Sequence, residues 1–81
     1  MKVRVLLFAA AREAAGADET SIVLADGACV RDAFGALADA HPALVAVLPS
    51  CRAAVDEEFA PAAAPLRDGA TLAVLPPVSG G

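Results

Sequence analysis

The sequence predicts an α+β fold in which a mixed sheet packs on one main helix, and three stretches predict it. Residues 2–8 (KVRVLLF) begin with alternating charged and apolar side chains, the period of a strand with one buried face. Residues 30–40 set Val30, Phe34 and Leu37 at helical spacing, and His41 continues that face. Residues 70–75 return to strand character, with Leu72 and Val74 against Ala73 and Leu75. A chain of 81 residues holds one domain at most. The expected division is a folded domain over residues 1–75 and a flexible, extended C-terminal tail over residues 76–81.

The first strand turns Val3, Val5 and Leu7 to the core and Lys2, Arg4, Leu6 and Phe8 the other way. Residues 9–18 read as a connection with a helical turn closed by Gly16. Residues 20–24 are a second strand, and Ala25, Asp26 and Gly27 carry turn chemistry. The helix over 30–40 has Asp32 in its first turn, where an acid suits the macrodipole. Its start reads as poorly capped, because Cys29 stands where Ser, Thr or Asp is preferred. It ends before Pro42, which disfavours a helical His41. Residues 44–48 add a short helical turn stopped by Pro49. Residues 51–55 are a third strand, Asp56, Glu57 and Glu58 an exposed turn, 60–65 irregular between prolines, and 66–69 a turn broken at Asp68 and Gly69.

Two strands, a helix across them and a returning strand make a layered α+β architecture. The first and last strands are both apolar enough to be central neighbours. Parallel pairing then uses the intervening helix in the crossover. That is the β-grasp arrangement. The hydrophobic fraction of 58% contains so much alanine that the core has to rest on fewer residues. These are Val3, Val5, Leu7, Ile22, Leu24, Val30, Phe34, Leu37, Leu44, Val55, Leu72 and Val74.

A net charge of -4 disfavours nucleic acid as a partner and favours a basic protein surface. Residues 3–11 are too short for a secretion signal and are followed at once by Arg12 and Glu13, and no apolar run spans a bilayer. Cys29 and Cys51 lack metal-ligand spacing, so reduced thiols in a cytoplasmic protein are the simplest reading. Both read as buried structural cysteines. His41 has no nearby ligand set. The chain offers no nucleophile–base pair and no metal site, so no bound cofactor is expected.

The segment Pro76, Pro77, Val78, Ser79, Gly80, Gly81 carries the functional signal. Two prolines end the strand and favour an extended exit. Six extended residues reach at most roughly 20 Å. The last two lack side chains, so the carboxylate of Gly81 can enter a narrow channel on another protein. A carboxylate is a poor electrophile, and activation requires reaching the α-phosphate of ATP. Gly-Gly by itself would equally suit an ordinary frayed terminus.

The sequence resembles the MoaD family, the small subunit of molybdopterin synthase and a ubiquitin-like sulfur carrier. The resemblance spans essentially the whole chain. It rests on FAAAREAAG at 8–16, AVDEE at 54–58, LRDG at 66–69 and above all LAVLPPVSGG at 72–81. The family often has Asn at Asp56 and Thr at Cys29. The resemblance implies that an ATP-dependent adenylating enzyme activates Gly81 and a sulfur donor system converts it to a thiocarboxylate. The tail then enters the large synthase subunit and gives sulfur to cyclic pyranopterin monophosphate. A heterotetramer of two large and two small subunits is also implied, with this chain as a non-catalytic sulfur donor.

Alternation places Phe8 and Leu75 on one outward face beside the tail's exit, an apolar docking surface for the activating enzyme and the synthase partner. The alternative is a second, smaller core beneath residues 60–66. Pro76 and Pro77 stiffen and aim the tail, and Val78 and Ser79 extend it. Arg12 and Glu13 sit in the loop after the first strand. Three other functions share the same features: a sulfur carrier for thiamine, cysteine or tRNA thiolation, a ubiquitin-like protein modifier joined through Gly81, and an interaction module with an idle tail.

Overall fold

A computed structural model describes residues 1–77. Strand β1 (Lys2–Leu7) leads through helix α1 (Ala9–Ala15) to β2 (Glu19–Val23), and then to α2 (Val30–Ala40). Two short 3-10 helices, Pro42–Leu44 and Leu48–Ser50, follow. Strands β3 (Arg52–Val55), β4 (Glu58–Ala60) and β5 (Thr71–Leu75) complete the sheet. The sheet order is β2-β1-β5-β3-β4, with β1 and β5 parallel and the other pairs antiparallel. This is the β-grasp fold that the strand and helix order predicts.

Register follows from the period of two. Val5 pairs with Leu72 and Leu7 with Val74, so four apolar side chains stack on the face beneath α2. Helix α2 adds Val30, Ala33 and Leu37 to that core. Leu44 and Leu48 come from the 3-10 helices and Leu66 from the loop before β5. Leu24, Phe34 and Val55, expected in the core, are only half-buried at its margin. Their places are partly taken by Ala11, Ala33, Ala53 and Ala70, because small side chains let backbones approach closely.

Several local expectations are corrected. Residues 9–15 form a seven-residue helix rather than a loop turn, so Arg12 and Glu13 are helical. Gly16 closes it at φ 73, its N–H donating to the Arg12 carbonyl. The start of α2 is better capped than Cys29 suggests. The Asp32 carboxylate reaches back to accept from the Cys29 N–H at 2.9 Å and from its thiol at 3.3 Å. Pro49 does not stop a helical turn. It lies in the first turn of a 3-10 helix, as Pro42 does, where no N–H is needed.

Glu58 belongs to β4 rather than to the turn. The β3–β4 hairpin turns on Asp56 and Glu57 alone, at φ 50 and 75. Two-residue turns of this hand favour Asn-Gly or Asp-Gly. Asp-Glu lacks that signature, which is why β4 was not foreseen.

Candidate functional site

Because β1 and β5 run in parallel, their C-terminal ends lie side by side. Leu7 pairs with Val74, and Phe8 and Leu75 follow them on the opposite face. Phe8 is 43% exposed, Leu75 and Pro76 are half-buried, and Pro77 is exposed. The loop over 61–65, under which a second small core was the alternative, is tied to the start of α2, through Val30 N–H to the Ala64 carbonyl and Arg31 N–H to the Ala62 carbonyl. Val78, Ser79, Gly80 and Gly81 lie outside the described residues.

Phe8 occupies the N-cap position of α1. Its carbonyl accepts from Ala11 N–H at 3.0 Å and Arg12 N–H at 3.3 Å, and its side chain makes no capping bond. A polar side chain would cap better and suit water better. The next residue, Ala9, takes a left-handed φ of 48, a conformation unfavourable for any residue with a Cβ. A partly exposed aromatic ring and a left-handed alanine therefore meet at the root of the C-terminal segment.

The outward face continues across the sheet. Leu6 pairs with Ala73, Ala73 with Ala54, and Ala54 with Phe59. Phe59 is 65% exposed, and the Arg52 guanidinium stacks over its ring, 4.5 Å from the centroid. Arg52 also pairs with Leu75. Phe59 was not singled out from sequence because its face depends on β4. Once that strand is assigned, alternation from Ala54 places it with Phe8 and Leu75.

At the far end of β5, Asp56 ties the hairpin to the strand's start. It accepts from Thr71 N–H at 3.0 Å and from Arg67 at 2.6 Å. The Thr71 N–H and then the Arg67 bond hold the Asp56 carboxyl below its usual range. The two thiols, expected to be buried, are only half-buried, and each has a hydrogen-bond partner. Cys29 donates to Asp32, and Cys51 donates to the Val47 carbonyl at 3.3 Å, with burial pushing the Cys51 thiol up. His41 caps α2 through its backbone N–H, which donates to the Leu37 carbonyl at 2.8 Å. Among the described residues no group of three acids, histidines or cysteines is placed to hold a metal, and no helix is long and apolar enough to cross a membrane.

The model of the ThiS family matches residues 5–81, which takes in both the outward face and the C-terminal segment. The chain belongs to the ThiS family. The chain is 40% identical to the molybdopterin synthase sulfur carrier subunit of Chlamydomonas reinhardtii, over all of both chains. Its fold is similar to that of SAMP1, a small archaeal modifier protein of Haloferax volcanii, with a TM-score of 0.91 and 32% identity over all of both chains. It is also similar to a chain in the complex of subunits 1 and 2 of molybdopterin-converting factor from Helicobacter pylori. There the TM-score is 0.71 and the identity 26%, again over all of both chains. The family match and the sulfur-carrier relative agree with the resemblance read from the LAVLPPVSGG block, and the two solved structures share the fold of this chain.

Proposed function

We propose that this chain is the sulfur carrier subunit of a molybdopterin synthase. The observation that carries the proposal is the full-length likeness, at 40% identity, to a subunit of that name. The parallel β1–β5 pair supports it, because it puts the exit of the C-terminal segment beside an exposed apolar face.

In this reading the carboxylate of Gly81 attacks the α-phosphate of ATP within a partner adenylating enzyme, and pyrophosphate leaves. Hydrosulfide, supplied at the sulfide oxidation level by a donor system, then attacks the acyl carbon. A carbon–sulfur bond forms as the carbon–oxygen bond to AMP breaks, AMP taking the electron pair. The resulting thiocarboxylate enters the large synthase subunit, its sulfur bonds to a carbon of cyclic pyranopterin monophosphate, and water cleaves the acyl–sulfur bond to leave the sulfur on the pterin and restore the Gly81 carboxylate. Two loaded copies serve each dithiolene, which has two sulfurs. Gly80 and Gly81 are suited to both channels because neither has a Cβ. The chain itself holds no cofactor, since ATP is consumed on the partner. The Helicobacter pylori complex supports a large-subunit partner, and the heterotetramer belongs to the same proposal. The face of Phe8, Leu75 and Phe59 docks the partners, while Pro76, Pro77, Val78 and Ser79 lead the chain inward.

The likeness to SAMP1 favours a second reading, in which Gly81 forms an isopeptide with a lysine of a target protein. One experiment separates the two. The protein is incubated with an adenylating enzyme, ATP and a sulfur donor, and its intact mass is measured. Exchange of one oxygen for one sulfur, lost on deletion of Gly81 with the fold retained, is the expected result. An adduct on a target lysine without that exchange would transfer the assignment to the modifier.

A further inference from the structure

A groove of about 510 Å³ runs between the first turns of α2 and the β3–β4 edge of the sheet. Val30, Phe34, Ala53 and Ala60 line it with Arg31 from the side of α2, and Phe59 and Arg52 line it where it wraps the sheet edge to the outward face. We propose that this groove binds a short, extended peptide of a partner protein, one with carboxylates on either side of an apolar residue.

Charge carries the inference. The chain has ten acidic and six basic side chains, yet two of the six cations line this groove and no acid does. Among the described residues neither Arg31 nor Arg52 is in an ion pair, whereas Arg4 is bonded to Glu19 at 2.7 Å and Arg67 to Asp56 at 2.6 Å. Arg31 is also misplaced for helix stability, since a cation in the first turn opposes the macrodipole. Its neighbour Asp32 is turned back to the Cys29 N–H and thiol, and does not line the groove, although its charge is close enough to Arg31 to be felt.

The mode of binding follows from what is already occupied. The N–H groups of Val30 and Arg31 donate to the carbonyls of Ala64 and Ala62, so an anion here is met by guanidinium groups rather than by the helix end. Stacking on Phe59 holds the Arg52 guanidinium in place before any ligand arrives. Strand β4 is the edge of the sheet, with β3 on one side only, so an extended segment can lie along it. Two guanidiniums beside an apolar lining select alternating carboxylate and apolar side chains.

The test uses the full chain alone, so its outcome is independent of sulfur chemistry. A fluorescein-labelled peptide, Glu-Leu-Asp-Phe-Glu-Leu, is titrated by anisotropy and by amide chemical shifts. Saturable binding is expected, with shifts at Val30, Arg31, Phe34 and Ala60. Arg31→Glu should weaken it about tenfold, as should Arg52→Gln, through loss of the charge pairs. Arg31→Glu suits the first turn of α2, so its fold is expected to be intact, and the same spectra check it. Val23→Thr, on the opposite edge strand, should leave binding unchanged. Absence of saturable binding, equal binding of a peptide with lysines for its acids, or full affinity in both arginine variants would overturn the proposal.

Discussion

Phe8 shows how a single side chain can be set against its surroundings. It stands at a helix N-cap without capping, and it is exposed beside Leu75, where β5 ends. If this face docks the activating enzyme and the large subunit, Phe8→Ala should weaken both complexes by about ten- to thirtyfold, the range of an aromatic hot spot. Titration calorimetry with each partner checks this, and unchanged affinity with an intact fold would remove the face from the proposal. Asp56 makes a different residue-scale prediction. Its folded carboxyl lies below the ordinary value, so the stability it contributes is present above an unfolded pKa of about 3.9 and is lost as pH falls through the folded value. Glu19, paired with Arg4, and Asp32, accepting from Cys29, act in the same direction. The protein should therefore lose stability between about pH 5 and pH 2. Asp56→Asn keeps an acceptor for Thr71 N–H but no charge for Arg67. Its urea midpoint should fall less steeply over that range, and an identical slope would show that Asp56 is not among the titrating groups.

Among the elements, the β3–β4 hairpin stores the clearest local strain. Asp56 and Glu57 both take positive φ, and Asp56 is held there by its bonds to Thr71 and Arg67. Glu57 has no comparable anchor among the described residues, so its conformation costs stability without compensation. Glu57→Gly at φ 75 should stabilise the protein by about 1 kcal/mol, since glycine takes this conformation without a Cβ clash. Thermal unfolding should show a rise of about 4–8 °C. A lowered midpoint would mean that the entropy glycine adds to the unfolded chain outweighs the relief. Helix α1 illustrates the converse. Its seven residues are too few to be stable alone, and burial of Ala11 and the Gly16 closure secure it. Alanine-rich residues 9–15 therefore gave little periodic signal in sequence, although they are helical in the fold.

For the whole molecule, one small core has to hold both layers together. A domain of this length has a stability of roughly 4–12 kcal/mol, from about 0.05–0.15 kcal/mol per residue. Leu37 is fully buried under the sheet, and Leu37→Ala should cost about 2–5 kcal/mol, the range for large-to-small changes in a core. The urea midpoint should fall by about 2 M or more, and a shift much smaller than that would show that the core collapses around the gap.

The strand β1, the helix α2 and the pairing of β1 with β5 were legible from periodicity, because Val3, Val5, Leu7, Leu72 and Val74 alternate and Val30 and Leu37 share a helical face. The family was legible from LAVLPPVSGG, whose chemistry is local and needs no fold to be read. Contacts distant in sequence decided the rest. Asp56 is held by bonds to Thr71 and Arg67 in a turn that Asp-Glu does not favour, Glu57 follows it at positive φ, and only that turn creates β4. Phe59 and Arg52 join Phe8 on the outward face, and Arg31 and Arg52 come to line one groove, because the sheet order sets β3 and β4 at the edge beside the start of α2. Periodicity reports which face of an element is buried, but which elements become neighbours is settled by packing, and surfaces shared between elements exist only once they have packed.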